Sequence, residues 1–166
     1  IGRFAPEKGI DLLVEAAARM PSDAVSLVLA GRVSEAEQAR LAALAPGMTL
    51  DFLGFVSPKD FYARVDVVAL PSIWEEPGAL VLLDAQGAGR PVLTSTLGGM
   101  PEMFRRGVTG WTADPSVDGF AATLRSLVEN PELVRTAHQR LRERRARTVD
   151  DMVAAYSDVY QSLVSR

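Results

Sequence analysis

Residues 65–84 read Val65-Asp66-Val67-Val68-Ala69-Leu70-Pro71-Ser72-Ile73-Trp74-Glu75-Glu76-Pro77-Gly78-Ala79-Leu80-Val81-Leu82-Leu83-Asp84. The first six are apolar except for Asp66, a short and nearly continuous run that suits a strand covered on both faces. Pro71 and Ser72 close the run, Pro77 and Gly78 break the chain again, and Leu80 opens a stretch of helical length. The same alternation repeats along most of the chain. It predicts strands at 25–30, 49–53, 65–70, 91–95 and 109–113, with helices at 10–20, 34–44, 58–64, 80–88 and 100–106 between them. The expected fold class is α/β, a doubly wound parallel sheet flanked by helices. After Pro115 the pattern turns purely helical, with segments at 116–129, 131–147 and 149–164, the second opened by Asn130-Pro131.

With 166 residues, 48 % of them hydrophobic and 23 % charged, the chain is expected to form one globular domain. It has no Cys, which excludes disulfide frameworks, thiol catalysis and thiolate zinc sites. Its 18 basic and 21 acidic residues give a net charge of -3, so nothing global favours nucleic acid or an anionic membrane, and any anion site has to be local. No apolar run reaches the roughly 18 residues of a membrane span. The opening Ile1-Gly2-Arg3-Phe4 reads as the end of a strand running into a loop, so a fragment of a longer protein is expected. Arg135, Arg140, Arg142, Arg144, Arg145 and Arg147 crowd the segment 131–147, and we read them as a solvated helix with positive charge toward its C-terminal end.

In open α/β sheets ligands gather beyond the carboxyl ends of the strands, which directs attention to four loops. In Gly2-Arg3-Phe4-Ala5-Pro6-Glu7-Lys8-Gly9, Arg3 and Lys8 fall near an expected helix N-terminus, where cations are unfavourable unless an anion joins them. The alternative is that they splay into solvent or pair with Glu7. In 71–84, Glu76 stands at the mouth of a helix and Asp84 lies inside an apolar one. A carboxylate buried there wants a donor, such as a sugar hydroxyl or a backbone group. Gly98-Gly99 precedes Met100-Pro101-Glu102, a turn that lets a ligand approach the backbone closely. Phe55 and Val56, before Ser57-Pro58, are placed to flank a planar base or simply to pack the loop. His138 is the one histidine in the chain, so no Ser-His-Asp triad or histidine metal site can be assembled.

Together these segments resemble the C-terminal domain of GT-B fold glycosyltransferases, specifically the large retaining family 4 group. The marks are Gly-Arg-Phe-Ala-Pro-Glu-Lys-Gly at 2–9, Phe-Leu-Gly-Phe-Val at 52–56, Val-Asp-Val-Val-Ala-Leu-Pro-Ser at 65–72, Glu-Glu-Pro-Gly-Ala-Leu-Val-Leu-Leu-Asp at 75–84, Gly-Arg-Pro-Val at 89–92 and Gly-Gly-Met-Pro-Glu at 98–102. No single motif decides the matter; their order and spacing do, and they cover essentially the whole chain.

The resemblance implies a Rossmann-like domain spanning 1–166 that is one half of a GT-B fold and binds a nucleoside-diphosphate sugar. It implies that Arg3 and Lys8 hold the donor diphosphate, that Glu76 is the catalytic carboxylate facing the transferred sugar, and that Asp84 binds the ribose hydroxyls. Backbone amides of Gly78, Ala79 and Leu80 would line the sugar and phosphate pocket, Val56 would lie beside the base, and Gly98 and Gly99 would form a loop on the phosphate side. No metal and no cofactor is implied. The partners are the donor and an N-terminal domain carrying the acceptor, toward which the C-terminal helix at 147–166 would cross, and no nucleic acid. A cytoplasmic location is implied, with a peripheral place at the inner face of the membrane as a further option for the full-length protein.

Two positions depart from the family pattern: Asp84 stands where Glu is usual, and Gly78-Ala79 replaces an aromatic-Gly pair. These departures support an alternative, a degenerate nucleotide-sugar-binding module without transferase activity. A GT-B type nucleotide-sugar epimerase would need more carboxylates and histidines than the chain offers. A flavodoxin-like signalling domain would explain the α/β pattern but not Arg3 and Lys8 beside the paired acids.

Overall fold

In the computed structural model, which describes residues 1–144 and 148–164, strands and helices alternate as the hydrophobic pattern predicts. A 3-10 turn at Pro6–Lys8 leads into α1 (Ile10–Ala17), followed by β1 (Leu27–Ala30), α2 (Glu35–Leu44), β2 (Leu50–Gly54) and α3 (Pro58–Tyr62). Then come β3 (Val68–Leu70), α4 (Leu80–Gly87), β4 (Val92–Ser95), a second 3-10 turn at Met100–Glu102, β5 (Gly110–Ala113), α5 (Val117–Glu129), α6 (Pro131–Arg142) and α7 (Val149–Val164). Ser34, Ser57 and Ser116 cap α2, α3 and α5, each hydroxyl accepting from the backbone N–H three residues on. Arg145 and Arg147, expected in the helix of 131–147, lie outside the described residues.

All the strand pairs described are parallel, in the orders β1-β2 and β3-β4-β5. Neighbouring residues of one strand point to opposite faces, and β4 shows both faces covered. Val92 packs with Phe61, Tyr62, Leu82 and Ala85 of α3 and α4. Leu93 packs with Leu13 and Ala16 of α1 and Phe120 of α5. Each fully buried Leu or Phe contributes about 1.5–3 kcal/mol, so these two layers dominate the stability. Arg40 ties α1 to α2 by donating to both Asp11 carboxylate oxygens at 2.6 and 2.7 Å while also pairing with Glu37.

The structure departs from the sequence pattern in four places. The helix expected at 100–106 is a single 3-10 turn, because Val108 and Thr109 N–H groups turn back to the Arg105 carbonyl and feed the chain into β5. Strands β1 and β3 begin later than the apolar runs at 25 and 65, since each has a ladder partner on one side only. Helix α4 was expected to be buried nearly all round, yet only Leu82 and Ala85 are, and Leu80, Leu83 and Asp84 face solvent. Finally, β1 and β3 do not pair with each other; a cleft of about 1150 Å³, lined by 24–30 and 64–72, separates the two sheets.

Tyr62 illustrates the interior beneath this cleft. It is 5 % exposed, its ring lies edge-on to Phe61, and burial, with the Asp84 carboxylate adding to it, pushes its phenol from 10.0 up to about 12. A group whose proton is held more tightly in the folded state stabilises it only while protonated. Stability is therefore expected to fall as the pH rises from about 10 toward 12, and Tyr62→Phe should remove that component from an alkaline unfolding profile.

Candidate functional site

Because the strands are parallel, their carboxyl ends share one edge, and the loops at 2–9, 54–57, 71–79 and 96–99 meet there. The loop at 2–9 is fastened on both sides. Gly2 N–H donates to the Ala30 carbonyl at 2.9 Å, and Ile73 N–H donates to the Glu7 carbonyl at 2.9 Å. Gly9 allows this closeness, since with φ +67° a Cβ there would sit 2.0 Å from the Pro71 carbonyl oxygen. Lys8 ends the 3-10 turn and so approaches the loop that follows β3.

There it meets Glu76. Lys8 Nζ donates to Glu76 Oε2 at 2.5 Å, with both side chains largely withdrawn from solvent. The same oxygen accepts from Trp74 Nε1 at 3.2 Å and lies 3.4 Å from the hydroxyl of buried Ser72. The Lys8 ammonium also stands 5.7 Å from the centre of the Trp74 ring. Glu76 is thus held by three side chains through one oxygen. An ammonium has three N–H donors, so Lys8 can keep Glu76 with one and offer others to an incoming anion.

The Glu76 backbone is fixed from the opposite side by the Gly98-Gly99 turn. Gly99 N–H donates to the Glu76 carbonyl at 2.8 Å. Gly98 has φ +63°, and a Cβ there would lie 2.2 Å from the Glu76 carbonyl oxygen. Immediately after, Gly78 and Ala79 lead into α4, whose first turn carries neither a side-chain cap nor an acidic residue. Its N-terminal amides therefore present partial positive charge without a protein carboxylate to meet it.

The expected residues separate accordingly. Lys8 and Glu76 meet directly, and Arg3, Gly78, Ala79 and Leu80 line the mouth of the same cleft. Arg3 does not converge on Lys8: its side chain is 80 % exposed and its guanidinium stands 3.8 Å from Glu7, the alternative pairing left open in the sequence. Asp84 is exposed on α4, which removes the burial argument for its needing a partner. Val56 is half-buried against the α3 and α4 layer beside an 88 % exposed Phe55. His138 is in α6, its Nδ1 2.8 Å from the Gly89 carbonyl oxygen, which assigns the proton to that nitrogen. Ser72 and Trp74 were missed as site residues; a hydroxyl two positions after a strand and an indole two residues before the acid were the signals available.

Among the described residues no three His, Asp or Glu side chains cluster as a metal site, and no helix is long and apolar enough to cross a membrane.

Comparison with known proteins bears on this arrangement. Over its full length the fold superimposes on the crystal structure of Anabaena Alr3699/HepE in complex with UDP, with TM-score 0.78 and 26 % identity, covering 48 % of that chain. It also shares its fold with the sucrose-phosphate synthase of Thermosynechococcus elongatus, at TM-score 0.77 and 23 % identity, over 99 % of this chain and 44 % of that one. Both are consistent with the Rossmann-like half of a GT-B fold. In sequence it is 34 % identical to the D-inositol 3-phosphate glycosyltransferase of Geodermatophilus obscurus over 99 % of this chain and 41 % of that protein. It is 37 % identical to the enzyme of the same name from a Mycobacterium species (strain KMS), over 82 % of this chain and 33 % of that protein. The chain thus spans less than half the length of these relatives. The family model for glycosyl transferases group 1 matches residues 1–144, from the Arg3 loop through the end of α6, and this chain belongs to that family.

Proposed function

We propose that this chain is the donor-binding half of a retaining glycosyltransferase that uses a nucleoside-diphosphate sugar. The observation that carries the reading is the Lys8 ammonium held on Glu76 beside the uncapped first turn of α4. Cation and helix amides together suit a diphosphate, and the fastened carboxylate suits the sugar attached to it. UDP is the first nucleotide to test, since the Anabaena protein was crystallised with UDP and with UDP-glucose.

In this reading Lys8 and the amides of Gly78, Ala79 and Leu80 take the charge that grows on the departing diphosphate. Arg3, exposed beside Glu7, swings away from it to join them. The anomeric carbon–oxygen bond to the diphosphate breaks, the acceptor oxygen bonds to that carbon on the same face, and the acceptor proton passes to the departing phosphate oxygen. Glu76 stabilises the positive charge on the sugar ring between these events. Asp84, exposed on α4, reaches the ribose hydroxyls, and Val56 with Phe55 flanks the base. No metal or cofactor is required. Gly98 and Gly99 fix Glu76 and form the loop on the phosphate side.

The acceptor is expected on a second domain of a longer protein, and α7 is suited to reach it. None of its described residues is buried, and Met152, Val153, Tyr156, Val159, Tyr160 and Leu163 form one exposed apolar stripe. The cytoplasm, where nucleotide sugars are available, is the proposed location, with the full-length protein resting on the inner membrane face if its acceptor is a lipid.

Calorimetry with UDP, GDP and ADP tests the reading. One of the three is expected to bind, with Lys8→Ala weakening it by about 10- to 100-fold, the value of a charge-assisted hydrogen bond. No binding of any of them at millimolar concentration would overturn it. The second reading, a module that binds without transfer, is favoured by Gly78-Ala79 and the shortened acid Asp84. It predicts the same binding but no sugar transfer by the full-length protein.

A further inference from the structure

We infer that the amino-terminal edge of the sheet β3-β4-β5, around the turn from α4 to β4, is a docking surface for the anionic headgroups of a phospholipid bilayer. Arginines from three parts of the chain meet at this edge. Arg90 stands in the turn itself, two residues before β4. Arg105 and Arg106 belong to the turn that enters β5. Val92 lies opposite Gly110 and donates its N–H to the Thr109 carbonyl, which sets this turn beside the first. Arg142 and Arg144 close α6: a Cβ on Gly89 would lie 3.8 Å from Arg142 Cγ, and Arg144 Nη1 donates to Gln86 Oε1 at 3.3 Å. His138 fastens α6 to the same turn at the Gly89 carbonyl oxygen, 2.8 Å away.

These cations lack the partners found by arginines elsewhere in the fold, such as Arg40 on Asp11 or Arg64 beside Asp51. Among the described residues, Arg90, Arg105, Arg106 and Arg142 form no side-chain ion pair, and Arg144 meets only a neutral amide. The Arg90 Nε–H is buried without an acceptor. Segments 85–101 and 103–113 contain no Asp or Glu, and Glu143 is taken by Arg140 at 3.5 Å. A chain of net charge -3 thus concentrates unneutralised positive charge in one place, where the guanidinium groups repel each other until an anion arrives.

The chemistry of the edge fits a layer of phosphates. Guanidinium forks match phosphate oxygens two by two. Gly87, Ala88 and Gly107 lie exposed among the arginines, with side chains too short to hold a broad surface away. No Phe, Tyr or Trp occurs in 86–90, 105–108 or 139–144, so bases of a single-stranded nucleic acid would find no ring to stack on. Lys8 and Glu76 lie at the carboxyl ends of the strands, the opposite edge, and docking leaves them uncovered.

Flotation of the full-length protein with vesicles tests this. Binding is expected to vesicles of equal parts phosphatidylcholine and phosphatidylglycerol, to weaken as salt rises, and to be absent with phosphatidylcholine alone. At about 5-fold per arginine, the pairs Arg105→Gln with Arg106→Gln and Arg142→Gln with Arg144→Gln should each weaken it about 10- to 30-fold, with melting temperature unchanged. Arg105→Lys with Arg106→Lys keeps the charge and should retain most of the binding. Equal binding to the two kinds of vesicle would overturn the inference, as would undiminished binding by both glutamine pairs or its loss in the lysine pair. Release from the vesicles by duplex RNA at a phosphate concentration below that of the lipid would overturn it too. The inference does not rest on the donor reading: UDP binding can fail with the vesicles still held, and vesicle binding can fail with UDP still bound.

Discussion

Glu76→Gln is expected to leave UDP binding unchanged or to strengthen it by up to about 10-fold, while lowering sugar transfer by the full-length protein by about 100- to 1,000-fold. The two effects have opposite signs because Glu76 plays opposite parts in the two states. With the site empty its carboxylate neutralises the Lys8 ammonium at 2.5 Å, and it stands as a like charge to an arriving diphosphate. An amide of the same shape keeps an acceptor oxygen for Ser72 and Trp74 and releases Lys8 to the phosphate. In the transition state the same substitution removes the negative charge beside a positively charged sugar ring, a loss of about 3–4 kcal/mol. Binding measured by calorimetry and turnover measured with a labelled UDP-sugar separate the two. Parallel loss of both would mean that Glu76 only maintains the loop.

Gly98→Ala is expected to cost about 2–4 kcal/mol of stability and to abolish nucleotide binding even at temperatures where the protein remains folded. Two costs add at this position. An alanine at φ +63° is in the left-handed region, which L side chains rarely adopt, and its methyl would press 2.2 Å from the Glu76 carbonyl oxygen. Relief requires moving either the turn or the Glu76 backbone, and the turn is itself bonded to Glu76 through Gly99 N–H. The strain is therefore delivered to the carboxylate that holds Lys8. Gly107→Ala is the control: it has a similar φ of +70° but nothing within 4 Å of the added methyl, so it should cost stability without affecting binding. Thermal melts with and without UDP compare the two variants.

The alternation of apolar runs with helical stretches was enough to read the α/β class, because a strand covered on both faces leaves few polar residues, and Val92 beside Leu93 shows why: each is claimed by a different layer of helices. What the pattern could not carry was pairing. Val65 and Val67 look like strand residues in sequence, but the ladder with β4 starts only at Val68, opposite Val92, so β3 begins there. In the same way, the apolar residues of α4 could not reveal that Leu80 and Leu83 face outward, which exposed Asp84. At the site, Lys8 and Glu76 were each legible as candidates in loops at one sheet edge, but their pairing across 68 positions was not, since the sequence offered Lys8 a diphosphate or Glu7 instead. The parts played by Ser72 and Trp74 were not, since a serine and a tryptophan in a loop carry no spacing rule; only the fold brings their donors to one oxygen. Gly98 was read as a turn open to ligand, whereas its lack of a side chain is needed against Glu76 itself.

Backbone amide NMR of the isotope-labelled chain during titration with UDP tests the central claim most directly. The account predicts that shifts concentrate at Gly78, Ala79 and Leu80, at the loop of residues 2–9 and at the indole N–H of Trp74, and that Lys8→Ala removes them. Shifts confined to other loops, or none at millimolar UDP, GDP or ADP, would contradict it.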